Sequence, residues 1–269
     1  MELSGVLLRF NILIVAVLIL GDSNSVDARS LGRRRAHEPD KSLWWYWPCH
    51  GTAPVAGGPE LPKVHRELHL LRDEVIEHSK QTRAHALELQ KMIKSEHFSW
   101  YSNETITYFA QNAVPESLMK CNHLAAMDVY TSLQKWGETS LDAYKTYQLP
   151  LLSEAYDCLS SYAIHVHHMD KTFSADPLMP LSEKLKEKSV TSKHILKQTL
   201  EILCNLKEFI YGTSAERQLR WELLTFPRGD FKGQADISIP EGKTERYLME
   251  WKVISLLEKY MLGLSKGGV

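Results

Sequence analysis

The sequence lacks the glycine-rich and metal-binding motifs on which many catalytic sites are built. It contains no phosphate-binding loop, no His-Glu-x-x-His and no Gly-x-Gly-x-x-Gly, the motifs typical of nucleotide-binding proteins and zinc proteases. An excess of one charge is also absent, because the net charge is −1, and nothing favours a nucleic acid partner. We therefore predict a protein that is not an enzyme and that uses no cofactor and no metal.

Long apolar runs are missing after residue 28. Residues 1–28 have the pattern of a signal peptide, with Arg9 before an apolar core and Val26-Asp27-Ala28 as a cleavage site. The core, residues 12–20, is shorter than the roughly 20 residues that span a bilayer. We therefore expect a secreted, extracellular protein without membrane insertion, in which residues 29–59 form an N-terminal arm.

Cysteine is scarce, and no two cysteines form a Cys-x-x-Cys pair, which argues against zinc and redox chemistry. In a secreted protein an even number of cysteines predicts disulfides, and four cysteines allow three connectivities. The four residues are Cys49, Cys121, Cys158 and Cys204.

Three further motifs are short. Asn103-Glu104-Thr105 is the only N-glycosylation sequon, and the export signal makes Asn103 a predicted glycosylation site. Arg228-Gly229-Asp230 matches an integrin-binding tripeptide in a predicted exposed loop. Two histidine groups, 65/69 and 165/167/168, have no carboxylate or cysteine to complete a metal site.

The sequence does have four long stretches with apolar residues at steps of three and four, which predict amphipathic α-helices. These stretches cover about residues 62–94, 140–168, 181–212 and 244–264. A shorter helix is predicted from Pro115 to Trp136 with Leu124 facing inwards, whereas residues 95–114 show no helical pattern.

Individual residues within these helices carry more detailed predictions. Pro150 should kink the second helix, because proline has no backbone amide hydrogen. Gly212 stands where a glycine would end the third helix. Arg83 and Lys188 fall on the polar sides of their helices, so we expect both to face water.

The lengths of the connections predict how the four helices are arranged. The connections after the first and third helices are long, and the one after the second is short. Short connections force antiparallel neighbours, whereas long ones permit parallel crossovers. The predicted fold is therefore all-α, a four-helix bundle of residues 60–269 with up-up-down-down topology and long crossover loops.

Several segments resemble, in chain order, helices of the interleukin-6-type long-chain helical cytokines. Residues 141–147, Leu-Asp-Ala-Tyr-Lys-Thr-Tyr, resemble the opening of the family's helix B. Residues 195–209 are similar to helix C, and residues 248–254, Leu-Met-Glu-Trp-Lys-Val-Ile, to helix D. The sequence departs from several members at the start of helix D, where Thr244 and Tyr247 replace their Phe-x-x-Lys pair.

The resemblance implies a secreted cytokine, monomeric before it binds its receptors. Its partners would be class I cytokine receptor ectodomains, including a shared interleukin-6-type signalling chain, and the outcome JAK/STAT signalling. The family binds receptors through the outer faces of helices A and C and through the start of helix D. The corresponding residues are Arg72, Asp73, Lys80, Arg83, Lys193, Lys197 and Tyr247. The alternative function is a secreted helical carrier, which would hold an apolar ligand in a cavity.

The resemblance also bears on the disulfides, for which we predict Cys49–Cys204 and Cys121–Cys158. Cys204 lies on the apolar stripe of the third helix, and the tryptophan-rich arm around Cys49 needs an anchor. Some members of the family likewise tie an N-terminal cysteine to helix C. The second pair then follows by elimination.

Overall fold

The computed structural model describes residues 67–121, 123–174, 183–217, 219, 240 and 242–266. These residues form helices and turns with no strand among them, which confirms the all-α prediction. None of the described helices is both long enough and apolar enough to cross a membrane. The predicted signal peptide, residues 1–28, and arm, residues 29–59, lie outside the described residues.

Six helices are described. They are α1 (Leu68–His97), α2 (Asn103–Phe109), α3 (His123–Gln134), α4 (Leu141–Ala143, a π-helical turn Tyr144–Gln148 and Leu149–Ser174 in succession), α5 (Glu183–Glu216) and α6 (Lys243–Lys266). A short 3₁₀ turn, Glu116–Leu118, precedes α3.

The first helix follows the predicted apolar stripe closely. Its buried residues recur at steps of three and four along the whole helix: Leu68, Leu71, Val75, Ser79, Thr82, Ala86, Leu89 and Ile93. Two of them are polar, and each hydroxyl donates a hydrogen bond within the helix. Ser79 donates to the Val75 carbonyl and Thr82 to the His78 carbonyl. The stripe can therefore be buried completely.

Pro150 lies within α4, and the helix opens immediately before it. The amide of Leu149 donates to the carbonyl of Tyr144, five residues back, which closes a π-helical turn. Pro150 cannot donate to an earlier carbonyl, and a π turn is one way for a helix to accommodate such a break. The predicted irregularity therefore takes the form of this turn.

Gly212 does not end the third long helix, as its sequence position suggested. It is buried inside α5, which continues to Glu216. The extra turn packs on α4, because the Tyr144 hydroxyl lies 2.5 Å from Thr213 Oγ1 and 3.4 Å from Ser214 Oγ. A tertiary contact thus extends the helix past a residue that favours termination.

Contacts between long helices define their directions. Helices α1 and α5 run antiparallel, since His78 of α1 bonds Gln198, whereas Glu96, further along α1, bonds Lys188 near the start of α5. Helix α6 also runs antiparallel to α1: Arg83 bonds Glu258, whereas His97, further along α1, stacks on Tyr247 near the start of α6.

Helix α4 shows the same relation to α5 and α6. Its start contacts the end of α5 through Tyr144, and its end contacts the beginning of α5, where Ser189 donates to Asp170 at 2.7 Å. The rings of Tyr162 and Tyr260 meet where α4 faces α6, with centroids 5.6 Å apart. Helices α1 and α4 are therefore both antiparallel to α5, and because α6 is antiparallel to α1, it is antiparallel to α4 as well.

The connection between α1 and α4 contains more helix than the sequence pattern indicated. Helix α2 lies within residues 95–114, where no helix was predicted, and Ile106 anchors it in the core. Helix α3 packs against α6 and, less extensively, against α4. The prediction that Leu124 faces inwards is wrong: its side chain is exposed, whereas Ala126, Val129 and Leu133 are buried. Neighbouring apolar positions at helical spacing thus supply the inward face.

The predicted disulfide Cys121–Cys158 is present, with the two Cα atoms 5.4 Å apart. It joins the residue just before α3 to the middle of α4. The Tyr162 hydroxyl reinforces the same junction, since it donates to the Cys121 carbonyl at 3.1 Å. Cys204 is also disulfide-bonded. Its predicted partner, Cys49, lies outside the described residues, so that pairing stays a prediction.

The close approach of α3 to α6 yields a stability prediction at Gly263. A Cβ added there would lie 2.7 Å from the His123 carbonyl oxygen and 2.8 Å from the Ala126 Cβ. We expect Gly263→Ala to lower the free energy of unfolding by about 1–3 kcal/mol through overpacking, although alanine is the better helix former. Urea denaturation measures the change.

Gly137→Ala is the matched control, because a Cβ at Gly137 would meet nothing within 4 Å. It should be neutral or slightly stabilising. Equal stability of the two variants would contradict the close packing of α3 on α6.

Candidate receptor-binding surfaces

The start of α6 is supported by the end of α1. The rings of Tyr247 and His97 stack with centroids 3.5 Å apart and planes 10° from parallel. The guanidinium of Arg246 lies 5.5 Å from the centre of the Tyr247 ring, a cation–π distance. Tyr247 is half-buried and packs against the core, so the remaining part of a rigidly held aromatic side chain faces solvent.

Glu250 lies one turn below Tyr247 and is a buried carboxyl group, only 2% exposed. Burial raises its pKa to about 7, against the opposing effect of Arg246 and Lys188. Its Oε1 is 3.9 Å from Arg246 Nε, too far for a hydrogen bond. This carboxyl therefore holds its proton through part of the ordinary pH range.

Lys188 is a buried cation that acts on Glu250, and the prediction that it faces water is wrong. It is 2% exposed, and its Nζ donates to Glu96 Oε2 at 2.5 Å. The same Nζ lies 5.1 Å from the centre of the Phe173 ring. A lysine on the polar side of an isolated helix becomes buried because α1 and α4 supply a carboxylate and an aromatic face.

The cavity beside Glu250 is small. It has a volume of about 10 Å³ and lies between α4 and α6, with His165, Met169, Arg246 and Glu250 among its lining residues. This volume accommodates about one water molecule. The cavity therefore offers no room for the apolar ligand that a carrier would hold.

The second candidate surface is the outer side of the contact between α1 and α5. His78 Nδ1 lies 2.5 Å from Gln198 Oε1, and the rings of His85 and His194 stack with centroids 5.2 Å apart. These polar contacts hold the two helices in register at the surface. The sequence pattern did not indicate them, because single histidines on a polar helix face give no sign of a partner.

The predicted receptor-binding residues do not all lie on one face. Lys193 and Lys197 are exposed on α5, and Asp73 and Lys80 are exposed on α1. Arg83, predicted to face water, is instead partly buried and donates to Glu258 of α6 at 2.7 Å. It therefore lies on the α6 side of α1.

The remaining charges of the predicted surface form local pairs. Arg72 is partly buried and pairs with the adjacent Asp73 at 2.8 Å. Lys80 lies 3.6 Å from Glu77 on the same helix. Exposed pairs of this kind contribute little to stability, so these side chains are available for contacts with a partner.

The histidine groups do not form a metal site in the described part of the chain, where no three His, Cys, Asp or Glu side chains converge. His165 is buried, and its Nε2 lies 3.0 Å from Ser117 Oγ. Burial, with a smaller effect of His168, lowers the pKa of His165 to about 4. His165 is thus a neutral, hydrogen-bonded core residue, and His65 lies outside the described residues.

One short stretch at the end of α6 matches a catalytic serine motif. Gly263-Leu264-Ser265-Lys266-Gly267 matches the Gly-x-Ser-x-Gly of serine hydrolases, in which the serine sits on a sharp turn between strand and helix. Ser265 instead lies in α6, buried, and donates to the Leu262 carbonyl at 3.1 Å. The match therefore has no nucleophile geometry.

Two further predicted sites are the glycosylation site and the integrin-type tripeptide. Asn103 is exposed at the beginning of α2, where its Oδ1 accepts from Lys94 Nζ at 2.7 Å. Its predicted glycosylation stays a prediction. Arg228-Gly229-Asp230 lies outside the described residues.

No protein-family model, curated protein or solved structure matches the chain.

Glu250 yields a prediction on pH dependence. Its carboxyl titrates near 4.5 in the unfolded chain and near 7 in the folded protein, so the folded state binds the extra proton between these values. The stability of the wild type should therefore fall relative to Glu250→Gln as pH rises from 4.5 to 7. The difference should change by on the order of 3 kcal/mol, measured by denaturation at each pH.

His165, whose pKa is lowered, makes the free energy of unfolding rise with pH between about pH 4 and 6.5. This effect is the same in wild type and variant, so the difference between the two proteins removes it. Glu245→Gln, at an exposed position of the same helix, is the matched control. A difference curve for Glu250→Gln as flat as that control would contradict a buried, protonated Glu250.

Proposed function

We propose that this protein is a secreted cytokine that brings class I cytokine receptors of the interleukin-6 type together and so starts JAK/STAT signalling. The observation that carries the proposal is the direction of the four long helices. Helices α1 and α4 are each antiparallel to α5 and to α6, and these directions support the proposed up-up-down-down four-helix bundle. This topology is the one expected from the resemblance to interleukin-6-type cytokines.

The proposed mechanism uses surfaces rather than a reaction centre. A cytokine acts by holding receptor chains at a fixed distance and orientation, so the bundle must be rigid and its contacts must lie on separate faces. Burial of α1 along its full length and the interhelical bonds at both ends of α5 support such rigidity. Receptor recognition would then depend on which side chains remain exposed.

The first proposed surface is the outer side of α1 and α5. Lys193 and Lys197 give it positive charge, beside the surface contacts of His78 and His85 with α5. Charges at the edge of an interface mainly alter the association rate. We assign this surface to the shared signalling chain, with Asp73 and Lys80 as peripheral contributors.

The second proposed surface is the start of α6 around Tyr247. Aromatic residues held in place by their neighbours are enriched among the residues that dominate binding energy, and the His97 stack orders Tyr247 before a partner arrives. Because Thr244 and Tyr247 replace the Phe-x-x-Lys pair of several family members, we propose that this surface binds a receptor chain with a different specificity.

Charge reversal on α5 tests the first surface. Lys193→Glu with Lys197→Glu should reduce signalling potency about tenfold on responsive cells, because a complementary receptor face would be repelled. The measurement is receptor and STAT phosphorylation against concentration. Lys145→Glu with Lys171→Glu, at exposed positions of α4, is the matched control and should retain potency.

Truncation of Tyr247 tests the second surface. Tyr247→Ala should cost ~2 kcal/mol of receptor binding, about 30-fold in potency. Tyr247→Phe keeps the ring on His97 and separates loss of the aromatic contact from loss of the hydroxyl. Thermal unfolding shows whether each variant stays folded. Wild-type potency of the folded Tyr247→Ala and α5 variants would mean that the proposed surfaces do not bind receptors.

A further inference from the structure

Four aromatic side chains near α2 are exposed, which is unusual for residues of this size. We call them the aromatic patch: Trp100 is 95% exposed, Tyr101 47%, Tyr108 67% and Phe109 53%. The ring of Phe109 lies 5.9 Å from that of Tyr101 and 5.9 Å from that of Tyr108, both edge-on. Clustered exposed aromatics of this kind mark a surface that something else covers.

The sequon lies inside this patch. Asn103 follows Trp100 by three residues and Tyr101 by two, and the helix that begins at Asn103 carries Tyr108 and Phe109. The hydroxyl of Thr105, which completes the sequon, bonds Ser102 at 3.1 Å. The acceptor asparagine and the aromatic rings are therefore presented by one short segment.

The geometry of Asn103 suits an attached sugar. Its side chain is exposed, and Oδ1 accepts a hydrogen bond from Lys94 Nζ at 2.7 Å. That bond orients the amide group through its oxygen and does not use Nδ2, the atom to which N-linked glycan is joined. A sugar on Nδ2 would thus begin at a restrained position beside the aromatic patch.

We propose that an N-glycan on Asn103 covers the aromatic patch, with its first sugar residues packed on the faces of Trp100 and Tyr101. Each pyranose ring of N-acetylglucosamine has an apolar face of C–H groups and a polar rim of hydroxyls. Such a ring removes aromatic surface from water while its rim stays hydrated. The glycan would therefore stabilise the fold as well as shield this surface.

The proposal is independent of receptor binding. It requires export and modification at Asn103, and it holds for a secreted helical protein of any function. A branched glycan at Asn103 would also hinder protein contacts on the aromatic patch itself. A second copy of the chain is the competing occupant, and the experiment distinguishes it from the glycan.

A double-mutant cycle tests the contact between ring and sugar. Four full-length proteins are secreted from a eukaryotic host: wild type, Trp100→Ala, Asn103→Gln and the double variant. Because Trp100 is almost fully exposed in the polypeptide, Trp100→Ala should leave the melting temperature unchanged in the Asn103→Gln background. In the glycoprotein the same change should lower the melting temperature by about 2–4 °C.

Trimming the glycan to a single N-acetylglucosamine should preserve this coupling, because the first sugars make the contact. Tyr147→Ala removes another exposed aromatic side chain, 73% exposed on α4, and is the matched control, expected to have no effect in either background. Equal effects of Trp100→Ala with and without glycan would overturn the proposal. So would an unmodified Asn103 in the mass spectrum, or self-association of the glycoprotein that Trp100→Ala abolishes.

Discussion

The structure depends on one constraint: a long helix with a single apolar stripe must find partners along its entire length. Helix α1 satisfies it by packing between α5 and α6, so that its stripe is buried from Leu68 to Ile93. Polar contacts lie on either side of this stripe: His78 bonds Gln198 of α5, and Arg83 bonds Glu258 of α6. Burial of the stripe supplies the stability, and these flanking contacts select the direction and register of the neighbours.

Charge is concentrated where α1, α5 and α6 meet. The Lys188–Glu96 pair and Glu250, whose pKa burial raises to about 7, lie beneath the surface that carries Tyr247. Buried charges are costly and stabilise little overall, but they penalise any arrangement in which a partner is missing. We infer that this cluster fixes the start of α6 relative to the end of α1, and hence the position of the aromatic side chain that we propose for receptor binding.

Spacing of apolar residues was sufficient to predict the class, the long helices and the buried stripe, because each of these depends on a residue's own helix. The spacing did not predict the burial or conformation of residues that depend on contacts with another helix. Lys188 is buried against Glu96, which comes from another helix, and α5 continues past Gly212 into a turn that Tyr144 contacts. Tyr247 could be named as a candidate from its place at the start of α6, but its stack on His97 depends on tertiary structure. The Cys121–Cys158 pair was reached by elimination and is correct.

The central claim is that the molecule works by binding receptor chains on its exposed helix faces. The most direct measurement is binding of the protein, purified after secretion from a eukaryotic host, to immobilised ectodomains of class I cytokine receptors, followed by interferometry at several concentrations. We expect saturable binding to at least one interleukin-6-type receptor chain, weakened by Tyr247→Ala or by the paired charge reversal at Lys193 and Lys197. Absence of binding across the whole panel, from a protein shown to be folded, would contradict it.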